Sequence, residues 1–138
     1  MGTNYYSVKK GMENLDSESF WDSRGSEDNL HIGKSSGGWC FSLHIIPELN
    51  IHDLPGWVPY LLDQDRLIVD EYREAVTYEE MLTIITDRRS NRICTWTQEM
   101  YDKNYAEPGP NNLARHSLGH GCTRQGAGTW DCIEGEFS

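Results

Sequence analysis

The sequence predicts an α+β domain: a small antiparallel sheet of about four to six strands, one or two helices packed on it, and a glycine-rich C-terminal loop region. Three observations carry that expectation. Trp39, Phe41, Leu43 and Ile45 alternate with smaller or more polar residues over one short run, the period of a half-buried strand. Thr77-Tyr78-Glu79-Glu80 is a capping box that opens onto Met81, Leu82, Ile84 and Ile85, the apolar face of a helix. Glycine and proline clusters punctuate the chain at short intervals, so its elements must be short.

The elements follow in order. Residues 3–10, with Tyr5, Tyr6 and Val8, read as a first strand. Residues 11–29 are polar and acidic and read as a loop pinned by Phe20 and Trp21. Residues 30–34 form a short strand, Ser35-Ser36-Gly37-Gly38 a turn, and residues 39–46 the clearest strand, which makes a hairpin. Pro47 ends it. Asp53 then caps a short helix with Pro55 in its first turn and Trp57, Tyr60 and Leu61 on its apolar side. Leu67, Ile68 and Val69 predict another strand, and Ala75-Val76 a short return. The helix from Thr77 ends near Arg88 and Arg89, whose charges suit the negative end of its dipole. Residues 93–97 read as extended, 107–112 as a turn cluster, 119–128 as a glycine-rich loop and 129–133 as a final strand. No repeat or interdomain linker divides the chain, so residues 1–138 read as a single domain.

Composition narrows the function. The chain has 138 residues, enough to bury a core without metal or disulfide staples. The formal net charge is −10, from 22 acidic and 12 basic residues. Such a charge disfavours direct binding to nucleic acid or to an anionic membrane and suits a basic protein surface. No run is apolar and long enough for a signal peptide or a membrane span. Met1-Gly2 fails the myristoylation pattern, because Tyr6 stands where Ser or Thr is needed. The expected place is therefore the cytoplasm, with Cys40, Cys94, Cys122 and Cys132 reduced and no Cys-x-x-Cys pair among them.

The chain opens Met1-Gly2-Thr3-Asn4-Tyr5-Tyr6 and continues with His31-Ile32-Gly33-Lys34-Ser35-Ser36 and Gly38-Trp39-Cys40-Phe41-Ser42-Leu43-His44. Val69-Asp70-Glu71-Tyr72, Gly128-Thr129-Trp130-Asp131 and Gly135-Glu136-Phe137-Ser138 follow. Together these segments resemble a family of uncharacterised tailed-bacteriophage proteins. The resemblance runs through most of the chain. It implies a phage protein working in the cytoplasm of an infected host bacterium, and implies little chemistry. Members of that family often carry a Cys-x-x-Cys between the first strand and the His31 segment. Residues 11–29 hold no cysteine here, so a zinc requirement does not carry over.

Three constellations could do chemistry. His31, Lys34, Ser35 and Ser36 sit in what reads as a polar hairpin tip whose amides could cradle an anion; an ordinary turn is the competing reading. Arg115, Arg124, Thr129 and Trp130 border the glycine-rich stretch, where arginine could pair with phosphate and tryptophan stack on a base; a loop followed by a core tryptophan competes. His116, His120 and Cys122 have zinc-like spacing, although Gly119 and Gly121 argue against a helix that would align them. Cys40 and His44 share strand parity but stand too far apart along a strand to form a catalytic pair.

The expected function is a non-enzymatic phage accessory protein for host takeover or counter-defence, binding a host protein through an acidic surface. One alternative is sequestration of a small nucleotide-like signal between the His31–Ser36 and Arg115–Trp130 regions. Another is a metal-dependent hydrolase using zinc at His116, His120 and Cys122.

Overall fold

A computed structural model of the protein describes residues 2–89 and 96–137. Its centre is a mixed sheet built around the predicted hairpin. Strand β1 (Gly2–Lys9) pairs antiparallel with β2 (Asn29–Ser36), and β2 with β3 (Phe41–Ile45). On the far side of β1 lie β4 (Arg66–Asp70) and the two-residue β5 (Ala75–Val76). Beyond β3 lie β9 (Trp130–Glu134) and β8 (Cys122–Gln125), giving the order β5-β4-β1-β2-β3-β9-β8. A separate ribbon joins β6 (Ala106–Pro108) to β7 (Ala114–His116).

The α+β class holds, and two expectations are corrected. The sheet has seven strands, and β3 pairs with β9 in parallel. Strands β6, β7 and β8 are three or four residues long with one buried residue each, Ala106, Ala114 and Cys122, so their sequence lacks the alternation that marks β3. Part of the glycine-rich stretch is therefore edge strand: β8 lies between Gly121 and Gly126 and hydrogen-bonds to β9.

Helices cover both faces. On one face, α2 (Leu54–Leu62) and α3 (Tyr78–Thr86) bury Trp57, Leu61, Met81 and Ile85 against Ile32, Phe41, Leu43 and Ile45. Each large apolar side chain taken fully from water there is worth about 1.5–3 kcal/mol. Both predicted caps form: Asp53 Oδ1 accepts from the Leu54 amide at 2.7 Å, and Thr77 Oγ1 from the Glu80 amide at 3.1 Å. Helix α3 stops at Thr86, and the Arg88 guanidinium serves the hairpin instead, donating to the Ser36 and Trp39 carbonyls. On the other face α1 (Ser17–Asp22) arises inside the acidic stretch read as a loop, capped by Asp16. It buries Phe20 beside Tyr6, Val8 and Val69. A fourth helix, α4 (Gln98–Lys103), packs with β6 beside Trp39, Trp96 and Ala114. The sequence signal missed α4 because it is six residues long, with no repeated apolar stripe.

The hairpin turn lies at Gly37-Gly38, so His31, Lys34, Ser35 and Ser36 belong to β2 and do not form a tip. The register of β1 with β2 shifts between Tyr5 and Tyr6, a bulge that places Tyr6 opposite His31 and Tyr5 opposite Gly33. Gly33 is required there, since a Cβ would stand 2.1 Å from the Ser42 carbonyl oxygen.

Candidate functional site

The bulge sets up the main polar feature of the sheet. Leu30 and Ile32 turn toward the α2–α3 core, and His31 turns to the opposite face. In β3, Leu43 and Ile45 are buried in the same core, so alternation puts His44 on the face of His31. The two imidazoles meet with Nδ1 atoms 3.1 Å apart, and His31 Nε2 lies 2.8 Å from Asn4 Oδ1. Asn4 itself is buried, and its amide donates to Glu71 Oε1 at 2.8 Å.

This geometry sets the protons. Asn4 Oδ1 only accepts, so His31 carries its proton on Nε2 and offers the lone pair of Nδ1. His44 must then donate from Nδ1, which leaves its Nε2 as a bare acceptor. Among the described residues no hydrogen bond is made at that nitrogen. Burial, then the neighbouring His44, Arg24 and Lys34, lowers the His31 pKa to about 3. Burial also lowers that of His44, against the opposing effects of the His31 backbone, Glu136 and Glu48. Both rings are neutral near pH 7.

The pair forms the floor of a cleft of about 860 Å³. Tyr6 and Trp21 stand on one side, with ring centroids 5.3 Å apart for Tyr6 and His31. Phe137 closes the other, 4.8 Å from His31 and 5.1 Å from His44. The charged lining is unequal: Glu27, Glu48, Glu134 and Glu136 face a single cation, Arg24. Arg24 is already held, with its guanidinium over the Trp21 ring and its Nε donating to the Trp21 carbonyl. Among the described residues none of the four carboxylates forms an ion pair.

The second predicted constellation is built differently. Arg115 Nε donates to Asp131 Oδ1 at 2.9 Å, and its Nη2 donates to the carbonyls of Gly126, Gly128 and Trp130. It is the clamp that shapes the glycine loop. Asp131 is wholly buried, and its other oxygen accepts from the His116 amide at 2.9 Å. Thr129 is buried too, accepting from the Arg88 amide and donating to the Ile85 carbonyl. Trp130 Nε1 and Cys132 Sγ both donate to Asp53 Oδ1, and exposed Arg124 reaches Asp53 Oδ2 at 3.2 Å. Arg88 links this region to Ser36, while His31 lies toward the other end of β2. A smaller hollow of about 300 Å³ borders Ser35, Arg88 and Arg89.

The histidine–cysteine spacing is also spread over separate partners. His116 packs on Trp39, His120 stacks on Tyr105 at 4.3 Å, and Cys122 Sγ contacts the Arg124 carbonyl. Among the described residues no group of three or more His, Cys, Asp and Glu is placed to hold a metal ion. Cys40, Cys122 and Cys132 are free thiols in the interior; burial pushes Cys40 up to about 12 and Cys122 up to about 11, far from the thiolate range. Cys94 lies outside the described residues.

Sequence reasoning singled out His31 and missed its partners. Sequence parity pairs His44 with Cys40 and leaves His31 unpaired. The available signal was strand parity, which puts His31 and His44 on the polar faces of neighbouring strands. No helix among the described residues is long and apolar enough to cross a membrane. No protein-family model, no curated protein and no solved structure matches the chain.

Proposed function

We propose that this protein is a bacteriophage accessory protein that binds a basic surface of a host protein, acting in the cytoplasm of the infected bacterium without catalysing a reaction. One observation carries the reading. Two acidic segments far apart in sequence, residues 11–29 and 63–80, lie against each other. Arg66 donates to the Glu27 carbonyl and to Ser7, in the field of Asp63, Asp28 and Glu27. Arg73 donates to the Leu15 carbonyl and to Ser17 Oγ. Both cations hold backbone, so the neighbouring carboxylates of Asp28, Asp63 and Asp65 stay exposed to solvent. Glu27 continues this acidic surface into the cleft over the histidine pair. Exposed carboxylates steer a basic partner and set its orientation.

Nucleotide sequestration draws less support, because Arg115 and Thr129 are occupied by the fold and the large cleft is acidic. The test is charge reversal at Asp28, Asp63 and Asp65, all to Lys, with retention of host proteins compared at two salt concentrations. The reading expects a partner that is held by the wild-type chain, lost by the variant and weakened by salt. A partner retained equally by both chains would refute it.

A further inference from the structure

The cleft over the histidine pair has features that a flat acidic surface lacks. It is concave, walled by aromatic rings, and lined by His44, whose Nε2 makes no hydrogen bond among the described residues. An acceptor of that kind calls for an N–H or O–H donor. The four lining carboxylates select a positive one, since they outnumber the one cation and none is neutralised by an ion pair among the described residues. An anion would meet both the wrong charge and the wrong hydrogen-bonding sense.

We propose that this cleft receives an arginine side chain of the basic partner, its guanidinium lying against the aromatic wall and donating to His44 Nε2 and to a carboxylate of the rim. The proposal rests on the protein-binding reading above and names what the partner must present. Arginine fits better than lysine for a geometric reason. A planar guanidinium can lie against a ring while its in-plane N–H groups reach two acceptors, and an ammonium cannot do both as well. The chain already shows this chemistry at the cleft edge, where the Arg24 guanidinium lies 5.3 Å from the Trp21 ring centroid. Asn4 and His31 are positioning residues: they fix the tautomer that leaves His44 Nε2 bare.

The experiment is a chemical-shift titration of the full, isotopically labelled chain with Nα-acetyl-arginine methylamide. The matched probes are the citrulline, lysine and spermidine compounds. The expected result is a saturable shift centred on His31, His44 and Phe137, at least fivefold weaker for the lysine probe and absent for uncharged citrulline. The rim double variant Glu48→Gln/Glu136→Gln should weaken arginine binding at least fivefold, while Glu79→Gln on α3 leaves it unchanged. The proposal is overturned if arginine moves no cleft resonance, if citrulline matches it, or if spermidine binds and arginine does not. Lysine substitution of Asp63 and Asp65, outside the cleft, separates the two claims. Loss of the host partner with the arginine titration intact supports both. A charge-dependent host partner with no arginine shift overturns the pocket alone. A clear arginine shift with no charge-dependent partner overturns the surface reading alone.

Discussion

Two polar clusters sit on this sheet, one at each end of the β2–β3–β9 region, and they differ in what their polar atoms have left to give. Around Asp131, every charged group is committed. The carboxylate takes Arg115 and His116, Arg115 clamps three carbonyls, and Thr129 bridges Arg88 and Ile85. Around His31, the chain Asn4–His31–His44 ends in an acceptor with no partner among the described residues, beneath carboxylates with no counter-ion there. Both clusters contain the residue types of a binding site. Only the second keeps unused hydrogen-bonding capacity facing a cavity, and that capacity is what a ligand can use.

The contrast can be broken at its rigid end first. Asp131→Ala leaves Arg115 without its buried partner and frees the glycine loop. The expected loss is about 3–5 kcal/mol, read from chemical denaturation. A loss under about 1 kcal/mol would mean the clamp is not structural. The next effect is on acid stability. His31 is held to about 3 in the folded chain, against 6.5 when free. Between those values the unfolded chain binds a proton that the folded one refuses, so stability rises with pH across that window. It is complete above about pH 6.5 and falls as pH drops toward 3, by a contribution on the order of 5 kcal/mol. His31→Gln should flatten the slope between pH 6 and 4; an unchanged slope would remove the histidine as its cause. Smaller still is Arg124→Ala, at an exposed ion pair with Asp53, which should cost less than about 1 kcal/mol by the same denaturation assay. Least of all, Glu48→Gln at the cleft rim should leave the melting temperature within about a degree of wild type, because no hydrogen bond or ion pair of the described residues uses that side chain.

What was legible in the sequence follows the strength of local signals. The β3 alternation, the Asp53 and Thr77 caps and the β5 return are all where their residues predicted, because each is written in adjacent positions. Helix α1 was hidden by its charge: only Phe20 of its six residues is buried, so no stripe announces it. Strand β8 was hidden by glycines that mark its two ends. The cleft was half visible. Parity places His31 and His44 on polar faces, but their meeting depends on the bulge opposite Tyr5 and Tyr6, which no local pattern encodes. Arg115 illustrates the reverse. Its surroundings in sequence look like a phosphate loop, and only the fold shows that Asp131, sixteen residues away, has claimed it.

The most direct measurement is of the imidazole nitrogens of His31 and His44 in the unliganded chain at pH 6.5, by long-range proton–nitrogen correlation. The relay predicts two neutral rings, with the His31 proton on Nε2, the His44 proton on Nδ1, and a bare, unprotonated Nε2 on His44. A proton on His44 Nε2, or a charged His44 ring, would mean that the cleft has no acceptor to offer and would contradict the account.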